Sequence, residues 1–294
     1  MQVFVAVGEE QGFGAGARRL GLSPPVVTRV ISSLEQSLGV KLLLRTTRIV
    51  RLTEAGARYL VDCKRLLAEV EDAEQAASGA HGELRGQLAI TAPVMLGGLF
   101  VAPLLLEFLA QHPKVVGRAL FVDRVVDLIE EGLDVAVRIA HLSDASFSAV
   151  RVGSVREVIC ASPAYLKRHG VPRAPADLAE FTAITFSHGR ASPAWSLRSG
   201  KQTVAVRPKS RLVVNSSEVA LKAAMSGAGL TRALSYMAAA DVKAGRLRVI
   251  LSEFEPEPLP VHVIYREGRR AGARVRAFVD FAVASLRKNP LLKS

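Results

Sequence analysis

Residues 12–29 read GFGAGARRLGLSPPVVTR, and no other stretch limits the fold as tightly. Gly21 is placed to end a helix with positive φ. Ser23 is a residue type that caps helix N-termini, and Pro24 suits the first helical position, where a missing N–H costs nothing. The segment predicts a helix over Ala15–Leu20, a tight turn, and a second helix over Pro24–Leu38 stopped by Gly39. Val27, Ile31, Leu34 and Leu38 recur on one helical face. With that face inward, Ser23, Pro25, Thr28, Arg29 and Ser32 point outward, where short hydroxyls and a guanidinium can reach phosphates and base edges. Phe4 and Val7 give a short preceding helix an apolar side. A structural helical hairpin with a solvated polar face fits this segment too.

The same residues admit a further reading. Gly12-Phe13-Gly14-Ala15-Gly16-Ala17 fits G-x-G-x-x-A, the loop that holds a dinucleotide pyrophosphate. Such a loop follows a strand directly and is followed, about 20 residues on, by an acidic residue at the end of a second strand. Val3–Val7 offers a strand, but Gly8–Gln11 intervene, and the acidic candidate, Glu35, falls inside a helical pattern. The context disfavours a cofactor, and none is expected.

Lys41–Leu44 and Ile49–Leu52 read as two short strands around the basic tip Arg45-Thr46-Thr47-Arg48. Beside a helix-turn-helix this is a wing, a hairpin that sets guanidinium groups against a phosphate backbone or minor groove. Thr53 then caps a long helix, Glu54–Ser78, with an apolar stripe of Tyr59, Leu60, Cys63, Leu66, Leu67 and Val70. At 1.5 Å per residue it spans nearly ~40 Å. Its place between two domains and its acidic outer face suggest a coiled-coil seam with a second copy. Burial on its own domain is the other reading.

The formal charge of +12 favours polyanionic partners or acidic small ligands without choosing between them. Residues 1–60 carry eight Lys/Arg against four Asp/Glu, residues 61–83 two against six, and residues 84–294 29 against 17. The excess therefore lies mainly outside the helix-turn-helix. Cys63 and Cys160 form no ligand or disulfide pattern, and the six histidines give no metal framework. The N-terminus lacks the basic start of a secretory signal, and no window reads as a membrane span. A cytoplasmic chain without a membrane partner is expected.

From about Leu84 strands and helices alternate: strands at Leu88–Thr91, Val115–Val122, Val135–Ile139 and Val155–Cys160, with helices at Leu99–Ala110, Arg124–Glu131 and after Pro163. Short strands follow around Ile184, Val204 and Leu212, then helices at Ser217–Ser226 and Arg270–Leu286. This predicts a mostly parallel α/β sheet. Ligands of such sheets lie beyond the C-terminal strand ends, where helix N-termini gather. Thr91, Pro93 and Met95 form one such place, and Asn215 and Ser216 form another. Arg138 and Trp195 are further candidates for the lining, and an acidic effector would suit these donors. Local roles compete: Asn215 and Ser216 as helix caps, Trp195 as core.

The motifs ARRLGLSPPVVTR, LEQSLGVKLL, RTTR and LTEAG, in this order and spacing, resemble LysR-type transcriptional regulators. The likeness continues through LAITAPVMLGGLF, DRVVDLIEEGLDVAVRI, VICASPAYLKRHG and RVRAFVDF. The double threonine and the TAPV and DRVVDL segments are similar to the CrgA-like branch. The resemblance implies an α+β multidomain chain. It would have a winged helix-turn-helix (1–53), a linker dimerisation helix (54–80) and a two-subdomain effector domain of type 2 periplasmic-binding-protein fold (84–294). It also implies DNA contacts from Ser23, Pro24, Pro25, Thr28 and Arg29 and from Arg45, Thr46 and Arg48 in the wing. The effector cleft would lie between the subdomains, in a homodimer, tetramer or larger assembly on double-stranded DNA. Relatives often carry Gln where Pro24 stands here.

Three functions are weighed, of which the first is expected and an enzyme is not. One is a ligand-responsive transcription factor. A second is a small-molecule binding protein whose N-terminal domain serves only in assembly. The third is a nicotinamide-dependent enzyme using the glycine run.

Overall fold

The structure is a computed structural model. It describes residues 1–45, 50–77, 83–141, 147–187, 194–200, 202–265 and 272–293, with the side chains at 45, 65, 68, 69 and 71–77 outside that description. Three helices, α1 (Gln2–Glu10), α2 (Phe13–Leu20) and α3 (Pro24–Leu38), precede a hairpin of β1 (Leu43–Arg45) and β2 (Val50–Leu52) and the long helix α4 (Glu54–Ala77). Helix at α1 removes the strand a dinucleotide loop needs, and Gly12 merely caps α2. Gly21 and Gly39 end α2 and α3 at φ 65° and 66°. After Gly21 the Leu22 amide donates back to the Ala17 carbonyl, which closes the turn.

Phe4, Val7, Ala17, Val27, Ile31, Leu42, Leu43 and Cys63 form the core of this N-terminal unit. Two glycines set its spacing. A Cβ on Gly16 would sit 3.0 Å from the Val7 backbone, and one on Gly56 would sit 2.0 Å from the Leu42 carbonyl oxygen. Backbones therefore touch where α2 meets α1 and where α4 meets the hairpin. Thr53 Oγ1 accepts from the Gly56 amide (2.9 Å) and donates to the Lys41 carbonyl (2.8 Å), tying the start of α4 to the wing. The apolar stripe of α4 divides. Tyr59, Leu60 and Cys63 pack into the core just described, whereas Val70 is 54% exposed. The first half of the stripe thus serves this chain's own domain.

The remainder forms two five-stranded sheets. The first contains β3 (Arg85–Ala92), β4 (Lys114–Phe121), β5 (Val135–Ile139), β6 (Ser148–Val155) and β14 (Leu259–Tyr265), in the order β4-β3-β5-β14-β6. The second contains β7 (Glu157–Ala161), β8 (Thr182–Phe186), β11 (Lys209–Val214), β12 (Leu230–Leu234) and β13 (Arg248–Ile250), in the order β11-β8-β12-β7-β13. A separate hairpin joins β9 (Trp195–Ser199) to β10 (Gln202–Val206). On the first sheet lie α5 (Val94–Leu96), which runs through a π-helical turn into α6 (Ala102–Gln111), and α10 (Ala273–Leu286). The second carries α7 (Pro163–His169), α8 (Ser217–Met225) and α9 (Ser235–Lys243).

Four expectations change. The sheets are mixed: β14 runs antiparallel to β5 and β6, and β12 antiparallel to β7. The segment at 155–160 is not one strand, because the chain leaves the first sheet after Val155 and enters the second at Glu157. No helix forms over 124–131. There the Asp127 side chain accepts from the Ile129 and Glu130 amides, and Gly132 at φ 60° closes a single turn; such local bonds compete with a helix. Finally, Val94–Gln111 is long and apolar enough by composition to cross a membrane. Its Leu96, Phe100, Val101, Leu105 and Phe108 are buried in the core over the first sheet, which accounts for the apolarity.

The chain returns to the first sheet between Ile250 and Leu259. Arg156 in the first crossover meets Glu255 in the second at 2.8 Å, so one ion pair joins the two connecting segments.

Candidate nucleic-acid interface and effector cleft

Helix α3 presents two unlike faces. Val27 and Ile31 are fully buried, while Ser23, Pro24, Pro25, Arg29 and Ser32 are exposed and Thr28 is half-buried at the border. Ser23 stands at the N-cap with extended backbone, yet its hydroxyl makes no capping bond. The side chain expected to close the helix is instead left facing outward, and Pro25 at N2 removes one of the amides it would have served. Residues 43–45 and 50–52 pair as the expected hairpin, with Arg45 opposite Val50. Thr46 and Arg48 lie outside the described residues, as does the Arg45 side chain.

Glu35 holds this surface in place. It falls on the inward face of α3, only 3% exposed. Oε2 accepts from Lys41 Nζ at 2.7 Å, and Oε1 accepts from the Leu42 and Leu43 amides at 2.9 and 3.1 Å. Burial pushes its pKa up, but the Lys41 hydrogen bond, the two amides and the Lys41 charge outweigh it, leaving Glu35 below the ordinary carboxylate value. The carboxylate thus fixes the angle between recognition helix and wing. Its sequence signal was a charged residue four positions after Ile31 on an apolar face. Glu9 of α1 does similar work further out, pairing with Arg19 of α2 at 2.6 Å and with Lys64 of α4.

In the α/β half, Thr91 is fully buried at the end of β3. Its Oγ1 accepts from Arg138 Nη2 at 3.0 Å, while Arg138 Nη1 donates to the Val122 carbonyl at 3.1 Å. Burial lowers the Arg138 pKa, against the raising influence of the Asp123 carboxylate. Pro93 caps α5, and Met95 packs partly against Val158, Leu221 and Ala233 of the second subdomain. Asn215 is exposed, and Ser216 Oγ accepts from the Val219 amide at 3.3 Å, capping α8. Thr91 and Arg138 are brought together; the bond Ser216 makes is local. Trp195 is corrected: it is 1% exposed and packed with Tyr165, Leu178 and Leu197, so it fills core and lines no cleft.

Sequence reasoning missed two residues here. Asp123 Oδ1 accepts from the Val94 amide at 2.9 Å, so a carboxylate of the chain sits at the N-terminus of the α5–α6 helix. Tyr236, at the start of α9, reaches across to Phe100, with ring centroids 5.6 Å apart. Its hydroxyl is buried and meets no partner among the described residues. Neither stands in a local pattern that marks it.

Comparison with known proteins matches both halves. Residues 1–57 match the bacterial regulatory helix-turn-helix protein, lysR family, and residues 81–287 match the LysR substrate binding domain. An HTH-type transcriptional repressor of Pseudomonas aeruginosa is 32% identical, the match covering 99% of this chain and 92% of that one. Among solved structures, CrgA, a LysR-type transcriptional regulator from Neisseria meningitidis, is 29% identical at a TM-score of 0.63, covering 98% and 97% of the two chains. The full-length Vibrio cholerae virulence activator AphB is 25% identical at a TM-score of 0.63, covering 96% and 97%. With a helix-turn-helix at one end and a two-subdomain α/β effector domain at the other, the chain belongs to the LysR family of transcriptional regulators.

Proposed function

We propose that α3 and the wing read double-stranded DNA while the α/β half senses a small molecule in the cleft between its subdomains. Ser23, Pro24, Pro25, Thr28, Arg29 and Ser32 form the recognition face, and Arg45, Thr46 and Arg48 add phosphate contacts from the wing. The observation that carries the reading is the outward face of α3, whose Ser23 hydroxyl is released from capping while Glu35 fixes the helix from beneath. Phosphate contacts supply affinity and base-edge contacts supply sequence choice. Residues 1–53 serve DNA, 54–80 the partner copy and 84–294 the effector, with Thr91, Pro93, Met95, Arg138, Asn215 and Ser216 around the cleft. Exposed Val70, in the outer half of α4, supports pairing with a second copy there. Two such copies would place recognition helices in successive major grooves, about 34–36 Å apart, and pairs of dimers would extend the assembly. The work is cytoplasmic, where the DNA is.

A gel shift on the DNA upstream of the chain's own gene tests the interface. Arg29→Ala is expected to weaken binding about tenfold and to reduce the salt slope by about one. Unchanged affinity and slope would leave the α/β half as a small-molecule binder with an assembly domain attached.

A further inference from the structure

We infer that a pocket at the joint between the two subdomains, apart from the cleft, binds a small carboxylate with an apolar body, of the short-chain fatty acid class. The pocket measures about 190 Å³. That is below the ~300–1,000 Å³ of sites for drug-sized ligands and suits a body of a few carbons. None of Thr91, Arg138, Asn215 and Ser216 lines it.

Both subdomains build its walls. The second contributes α9, whose Ser235, Ala239 and Val242 recur on one helical face, and Val158 of β7. The first contributes Leu291 and Lys293, which follow α10. That last segment is held firmly. Leu292 is buried in the core over the first sheet, and Asn289 Oδ1 accepts from the Leu291 amide at 3.0 Å. Gly153 of β6 has no Cβ to hold the Leu292 carbonyl away. The pocket is therefore preformed, as small-molecule sites usually are.

Its polar groups meet where α9 begins. The Ser235 amide donates to the Arg156 carbonyl at 2.8 Å, and the Arg156 amide donates to Ser235 Oγ at 3.2 Å. The hydroxyl hydrogen of Ser235 has no acceptor among the described residues. Arg156 commits Nη1 to Glu255 at 2.8 Å, while its Nε and Nη2 make no bond among the described residues. A guanidinium only donates. Lys293 adds a second cation, exposed and without an ion pair among the described residues. No carboxylate lines the pocket, and with Glu255 counted against them the two cations still leave a positive excess. An anionic head at Arg156 and Ser235 would have the apolar surface of Val158, Ala239, Val242 and Leu291 for its tail.

Hexanoate, 1-hexanol and hexylammonium share a tail and differ in the charge of the head. Calorimetric titration of each into the full-length chain is expected to show hexanoate binding at least about tenfold tighter than the other two. Ala239→Phe fills the pocket and should cost hexanoate at least tenfold in affinity, flagged as about the loss of a site, with the melting temperature in place. Lys293→Gln, a surface change that the fold tolerates, should weaken hexanoate about threefold. Thr91→Val and Ser216→Ala should leave it unchanged. Hexanol or hexylammonium binding as tightly, no hexanoate binding, or hexanoate binding undiminished in both Ala239→Phe and Lys293→Gln would each overturn the inference. Hexanoate weakened by Thr91→Val but not by Ala239→Phe would also overturn it, while supporting the cleft as the effector site.

Discussion

On α3 the buried polar group is fully partnered: Glu35 divides its two oxygens among one ammonium and two amides. The outward side chains above it, Ser23 and Arg29 among them, are left exposed. In the α/β half the arrangement is reversed. Thr91 and Arg138 bond one another, Arg138 and Asp123 also bond the backbone, and the Tyr236 hydroxyl is buried with no partner among the described residues. The proposed partners account for the difference. DNA offers charge at regular intervals over a broad surface, so exposed donors on a rigid helix suffice. A small ligand has few atoms, and a few enclosed groups must discriminate among many similar molecules.

The comparison breaks most visibly if the scaffold under α3 is less rigid than its contacts imply. Gly56→Ala would drive a methyl group into the Leu42 carbonyl, 2.0 Å from the added carbon. A loss of about 2–4 kcal/mol in urea denaturation is expected, with DNA affinity falling alongside. A change below about 0.5 kcal/mol would show that α4 and the wing slide apart freely.

Glu35→Gln probes the same scaffold more gently. The Lys41 partner is largely exposed, so that ion pair contributes little, and the charge-assisted amide bonds dominate. A loss of about 1–3 kcal/mol at neutral pH is expected. Because the folded pKa lies below the unfolded 4.5, the carboxylate's contribution is complete above pH 4.5 and disappears as pH falls through the folded value. Wild type and variant should therefore differ at neutral pH and converge in acid. Parallel curves would remove the carboxylate from its role.

The smallest effect is expected at Tyr236→Phe. Removing a buried hydroxyl without a partner should leave stability within about 1 kcal/mol of wild type or raise it. A larger loss in thermal melting would mean that the hydroxyl is already satisfied, and the contrast with Glu35 would vanish.

The helix-turn-helix was legible because its information is local. Gly21, Pro24 and Gly39 each act on the backbone within a turn, and Val27 and Ile31 follow helical period. The α/β half was legible only in outline. Thr91 and Arg138 were named separately, but their bond spans 47 positions and no local pattern announces it. The turn at Asp127 was hidden because Asp is a common helix residue until its side chain captures nearby amides. Likewise, the break between two sheets inside 155–160 was marked only by the charged pair Arg156-Glu157, which a single strand could also carry. Trp195 misled for the opposite reason: an aromatic near a ligand site and an aromatic in a core look alike in sequence.

The crossover pattern bears on how the chain is made. Among the described residues strand β6 is bonded only to β14, which also pairs with β5. Residues 259–265 are synthesised after the whole second sheet, so that sheet can close while the first still lacks an inner strand. A ribosome working from the N-terminus therefore finishes the inserted half before the half that surrounds it. A nascent chain released before Leu259 would hold β6 with a bare edge, offered to any neighbouring strand.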